Sequence, residues 1–247
     1  AELTPEINGG RFYLRPFGKG AFRPAIGLSG IVDLDPTGEL PLADDVTEAA
    51  GPVFIGAGLD LDFPIIETEF ASLVIFGDAA GMFPYVRQEI VDTVGSADPI
   101  PSGFYFPALI TPKEQIDAGK FPLRNYGLSA GIFGNIWVLD YRVEYRNFNG
   151  TFRPAFFGPN YDRLRYAYVD ELAQDLLNPD QVVSTVGIYG EAGFAIGDKF
   201  YLEAGYMWPW TPGTDDTSDT VGTPGENDEL HIKAVLEKGL PGLPGHG

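Results

Sequence analysis

Residues 139–146 alternate without a break: Leu139, Tyr141, Val143 and Tyr145, with Trp137 on the same parity, interleave with Asp140, Arg142, Glu144 and Arg146. A strand turns successive side chains to opposite faces, so this segment has one greasy side and one charged side. Comparable stretches recur along the chain, joined first by a tight reversal and then by a long acidic loop. Many such strands, with short connections at one end and long ones at the other, describe an antiparallel up-and-down transmembrane β-barrel.

The 247 residues suit a single β-domain over 1–247. A hydrophobic content of 44% excludes general disorder, and the absence of cysteine excludes disulfides and thiolate metal sites. The net charge of -19 argues against nucleic acid, whose phosphates need lysine and arginine clusters. It equally disfavours simple adsorption to anionic lipid. The acids gather in expected loops, with Asp35, Glu39, Asp44, Asp45 and Glu48 in one and Asp215, Asp216, Asp219, Glu226 and Asp228 in another. No run reaches the ~18 apolar residues of a membrane helix, but barrel strands carry half that hydropathy because alternate residues point inward. The chain opens Ala1-Glu2-Leu3, so an exported protein with this sequence is expected to have lost its signal peptide already.

Strands are expected over 11–21, 25–34, 53–63, 70–79, 126–133, 136–148, 182–196, 199–210 and 229–238. Tight hairpins are expected at Gly134-Asn135 and Gly197-Asp198, both favoured turn pairs. The longest gap, 80–125, holds Phe104-Tyr105-Phe106, readable as a small strand or a loop folded into a barrel mouth; residues 168–177 suit a short helix. The tally is about nine strands of roughly ten residues, within a class of about eight to ten and close to the ~9–11 residues that cross a bilayer at a tilt. An odd count leaves the last strand without a return partner. Either a strand hides in 80–125, or these residues belong to a longer barrel.

Assigning faces by parity places Arg15, Asp60, Asp62, Asp140, Arg142, Glu144, Arg146, Glu191, Glu203 and Lys233 on the polar side, expected to line the lumen. Leu59, Leu61, Tyr141 and Tyr145 fall on the lipid side, while Trp137, Trp208 and Trp210 sit near strand ends as interfacial girdles. In a narrow barrel the charges fill the interior as a paired network; in a wider one they line water and select ions. The rival is a secreted soluble barrel or sandwich that binds a small ligand or glycan, with the apolar faces turned into a core.

Little catalytic chemistry is visible. Gly127-Leu128-Ser129-Ala130-Gly131 spells the nucleophile elbow, but inside an alternating strand rather than at the strand-to-helix turn that would expose the serine. Asp33, Asp35 and Asp44 begin and end an EF-hand-like spacing without flanking helices, which suggests at most loosely gathered Ca²⁺. No phosphate loop or metal-spaced histidine cluster is present. The expectation is no enzyme, no resident cofactor and no nucleic acid. The expected partners are outer-membrane lipid, small solutes or ions, and further copies of the chain.

Three groups of residues bear a family likeness: Leu59-Asp60-Leu61-Asp62-Phe63-Pro64-Ile65-Ile66; Phe76-Gly77-Asp78-Ala79-Ala80-Gly81-Met82; and Tyr145-Arg146-Asn147-Phe148 followed by Phe152-Arg153-Pro154 and Tyr161-Asp162-Arg163. In this strand-and-turn texture the chain resembles outer-membrane β-barrel proteins of spirochaetes. The resemblance implies a barrel and a bacterial outer-membrane location, and it carries over no functional residues.

Overall fold

The computed structural model describes residues 7–16, 23–35, 52–87, 101–117, 123–150, 152, 167–168, 171, 184–196, 200–210 and 228–236. They are almost wholly β. The strands are β1 (Ile7–Leu14), β2 (Ala25–Asp33), β3 (Phe54–Glu67), β4 (Ala71–Met82), β5 (Tyr85–Val86), β6 (Gly103–Phe104), β7 (Tyr126–Ile136), β8 (Leu139–Asn149), β9 (Ser184–Ile196), β10 (Phe200–Trp210) and β11 (Glu229–Leu236). All but β5 and β6 join one nine-stranded sheet, and each strand pairs antiparallel with its neighbours in chain order. This is the up-and-down order that the alternating gaps predict.

The sheet is not closed into a barrel. β1 and β11 are its edges and do not pair with each other. There is a geometric reason. In an antiparallel sheet of nine strands the two edge strands run in the same direction, so no antiparallel seam can join them.

Three boundaries depart from expectation. The first strand occupies Ile7–Leu14 rather than 11–21. β3 continues through Pro64 by a register shift between Pro64 and Ile66, and reversal waits until Thr68, whose hydroxyl accepts from the Ala71 amide at 3.0 Å. The third concerns the hairpin expected at Gly134-Asn135, which turns instead at Trp137-Val138, with Trp137 in the left-handed region at φ 57°. Gly134 is therefore a strand residue. Its missing side chain leaves room for the Ser72 carbonyl and the Tyr141 hydroxyl, the latter 3.0 Å from where a Cβ would lie. Trp137, expected on the strand's apolar face, sits on the turn and is 77% exposed.

At the long-loop end, residues 83–86 and 103–105 extend the sheet irregularly. The Phe83 amide donates to the Ile55 carbonyl, Tyr85 bridges Val53, and β6 pairs with β5. Phe54, Val86, Tyr105 and Leu123 are buried there. A short helix, α1 (Lys113–Asp117), follows a single 3-10 turn at Ala108–Ile110. The turn at 197–198, most of the helix expected over 168–177, Asp44 and most of the acidic loops lie outside the described residues.

Candidate functional site

Register converts sequence parity into two continuous faces. On one, Leu14, Ile26 and Leu61 lie side by side across β1–β3, and Tyr145, Ile188 and Trp208 across β8–β10. A second row runs Val143, Gly190, Tyr206, Leu230. Each strand of the large sheet contributes at least one exposed large apolar side chain, from Phe12 on β1 through Leu59, Ile75, Val143 and Ile188 to Ile232 on β11. Leu59, Leu61, Tyr141 and Tyr145 all belong to this face. So do Trp208 and Trp210, whose rings meet edge-on at 6.0 Å, with Tyr145 6.5 Å from Trp210.

The opposite face gathers the charges. Arg11 donates to Asp60 at 2.6 Å, and Tyr13 donates to Asp62 at 3.3 Å. Arg15 lies beyond the end of β1, with its guanidinium 5.6 Å from the Tyr13 ring centre. Asp60 faces Asp78 across β3–β4, and Ser129 donates to Asp78 at 3.0 Å. The hydroxyl expected to be an unproductive nucleophile is thus a partner in this network. Near the tight turns a cavity of about 180 Å³ opens among residues that include Arg15, Arg23, Asp62 and Glu67.

β8 supplies the centre of the face. Glu144 has a side chain only 2% exposed, held between Arg142, 2.5 Å away, and Arg146. An uncompensated carboxylate at that depth would be strongly disfavoured, and two guanidiniums resolve the problem. Each arginine also covers an aromatic ring, Arg142 over Phe76 at 4.5 Å and Arg146 over Tyr189 at 4.0 Å. Cations seated on ring faces gain further electrostatic stabilisation.

The network continues toward β11. Tyr189 donates to Glu191, and Tyr201 donates to Glu203 at 3.0 Å. His231 Nε2 lies 3.1 Å from Glu203, with its other ring nitrogen 3.4 Å from the Tyr189 hydroxyl. Lys233 pairs in register with Glu203 and sits 5.8 Å from the Tyr201 ring centre. Asp140 lies in register with Gly193 and is exposed. Glu191, Glu203 and His231 bring three potential ligand atoms within 4.8 Å of one another. Hydrogen bonds to the two tyrosines and the imidazole account for that closeness without a cation.

All ten residues expected on the polar side therefore share one face. Sequence parity missed what the tyrosines do. Its overlooked signal is the repeated Tyr-x-Glu spacing at Tyr189/Glu191 and Tyr201/Glu203, which sets hydroxyl and carboxylate side by side on one face. It missed glycine as a spacer as well. A Cβ on Gly205 would meet the Tyr189 hydroxyl at 2.5 Å and His231 at 2.7 Å, so only glycine lets those rings lie across β10. The calcium candidates behave differently. Asp33 is fully buried and accepts from the Asp35 amide at 3.0 Å, which fixes the chain as it leaves β2.

No family model, no curated protein and no solved structure matches the chain.

Proposed function

We propose that the chain forms a transmembrane β-barrel in a bacterial outer membrane and acts there as a passive, porin-like channel for small ions or solutes. One observation carries the reading: apolar side chains on every strand of the sheet stand exposed on one face, while the charged rows pair with one another on the other. A contiguous apolar face of this extent is poorly tolerated in water, and hydrocarbon is the solvent that accepts it. Strand lengths agree, since β3, β4 and β7–β10 run from 11 to 14 residues against the ~9–11 that cross a bilayer at a tilt. Trp137 at a tight turn and Trp208 and Trp210 at the far end of β10 suit interfacial girdles. Loosely held Ca²⁺ and further copies of the chain are the partners this reading admits beyond lipid and solute.

The polar face would then line the interior. The test is purification followed by single-channel recording in a planar bilayer. The protein should require detergent, show heat-modifiable migration on a gel and give discrete conductance steps that change in Asp62→Leu. A membrane-embedded protein with no conductance would instead be a structural envelope component. A monomer fully soluble without detergent would overturn the proposal and favour the soluble ligand-binding rival.

A further inference from the structure

His231 stands on β11, an edge strand, and both of its ring nitrogens meet groups from other strands. Nε2 lies 3.1 Å from a Glu203 oxygen on β10, and Nδ1 lies 3.4 Å from the Tyr189 hydroxyl on β9. Toward the ring both neighbours are acceptors. Glu203 is a carboxylate whose second oxygen already accepts from Tyr201, and Tyr189 gives its one proton to Glu191. A ring with a proton on each nitrogen satisfies both contacts, whereas a neutral ring has a single N–H to offer. Gly205 on β10 leaves the space in which Tyr189 and His231 meet.

We propose that His231 is a proton-operated switch that sets the charge of this part of the polar face, and with it the preference of the channel between cations and anions. The inference rests on the channel reading above and adds its regulation by pH. In acid the imidazolium donates to both Glu203 and Tyr189, and it offsets one carboxylate charge. As pH rises the ring gives up its Nδ1 proton, because the Nε2 proton faces the carboxylate. Nδ1 then presents a lone pair to the Tyr189 oxygen. The contact is restored when the hydroxyl turns its proton from Glu191 to the ring, which takes a donor from the Glu191 carboxylate. The face gains one negative charge and one bare carboxylate together. Charged side chains that line water select ions by sign.

The surroundings fit such a switch. The His231 side chain is 41% exposed, which gives protons of the solution access to it. The titratable and charged groups about the ring are Glu203 and Tyr201 from β10, Tyr189 and Glu191 from β9, and Glu229 and Lys233 at the same parity on β11. Arg146 of β8 lies over the Tyr189 ring at 4.0 Å and is itself paired with Glu144, so the tyrosine is held in place from behind. Among the described residues no strand lies beyond β11. His231 and His246 are the two histidines of the chain. Imidazole is the side chain whose ordinary charge change falls between about pH 5 and about pH 8, so a response in that range is separable from the many carboxylates.

The experiment places the full chain in planar bilayers under a potassium chloride gradient and reads the reversal potential at about pH 8 and about pH 5. The wild type should shift away from potassium and toward chloride on acidification. His246→Gln should keep that shift, and His231→Gln should lose it. Nitrogen NMR of the histidine rings in detergent micelles follows the same event without a pore. There His231 should carry both ring protons in acid and keep the one on Nε2 when neutral. Heat-modifiable migration on a gel checks that each variant folds, and the NMR reading decides the matter where His231→Gln does not. A wild type with no shift, a shift that survives in His231→Gln, or a neutral His231 protonated on Nδ1 overturns this inference alone. A protein that forms no pore overturns it together with the channel reading.

Discussion

An arginine scan along the apolar face of β8 separates a hydrocarbon environment from water by the shape of its profile. Leu139, Val143 and Asn147 share that face at its two ends and its middle. From position 139 to 147 the strand advances about 27 Å, which is about 20 Å of height at a tilt of about 40°, nearly the full apolar band of about 25 Å. Val143→Arg should therefore sit near the bilayer midplane and destabilise by about 2–4 kcal/mol, with Leu139→Arg and Asn147→Arg nearer about 0–1 kcal/mol. Steric conflict does not account for a loss at 143. Val143 is 47% exposed, and its neighbour in register, Gly190, has nothing within 4 Å of where a Cβ would stand. On a water-facing surface the same change should stay within about 0.5 kcal/mol. Equilibrium urea unfolding from lipid vesicles, followed by tryptophan fluorescence, reads the three values directly. A flat profile, or one with its maximum at either end, refutes the lipid assignment of this face.

The polar face makes its own predictions. Glu144→Ala strands two guanidiniums that are 38% and 24% exposed, so the usual penalty for breaking a buried pair is partly relieved by solvent. A loss of about 2–3 kcal/mol is expected in the same unfolding assay, and Glu144→Gln, which keeps the shape and the acceptor, should lose less. Gly205→Ala drives a methyl against Tyr189 and His231 and should destabilise by about 1–3 kcal/mol, with disturbed tyrosine absorbance as the spectroscopic sign. Outside the nine-stranded sheet, burial pushes the Tyr105 phenol up to about 12. Its contribution should be intact below the unfolded value of about 10 and disappear as pH rises through about 12, read by phenolate absorbance alongside unfolding. Tyr105→Phe should abolish that absorbance step and the bond to the Pro101 carbonyl.

The period of two made the sheet legible. Val143 and Glu144 must face opposite ways in any strand, so the two faces and their membership are legible in the sequence alone. What parity cannot supply is register. Gly134-Asn135 looks like a turn because that pair favours one in isolation, but here Gly134 is needed within β7 for the approach of Ser72 and Tyr141, and the turn passes to Trp137-Val138. The same limit hid the site's finer structure. Asp60 meets Arg11, and Tyr189 meets His231, only because particular residues fall opposite one another across several strands. Residues 107–110 carry no alternation at all, so their settling against the apolar face through Gly81 left no trace in the pattern.

The edges set the hardest condition on the membrane reading. Along β1 and β11 one side of each strand has no partner in the sheet, and in hydrocarbon each unsatisfied backbone group costs several kcal/mol. Edge strands of about eight residues would leave several such groups apiece, a sum comparable with the whole stability of a domain. A lipid-embedded sheet must therefore join its edges. Because β1 and β11 run the same way, a direct seam has to be parallel, whereas an all-antiparallel ring requires an odd number of further strands from elsewhere in this chain or from another copy. The absence of native cysteine makes the choice measurable, since a cysteine pair introduced at Phe12 and Ile232 reports on one contact alone. Oxidative cross-linking within a monomer supports the direct seam, and cross-linked dimers place the missing pairing between copies. Backbone amides on both edges that exchange freely with water in lipid vesicles would leave the sheet open, and with it the channel reading could not stand.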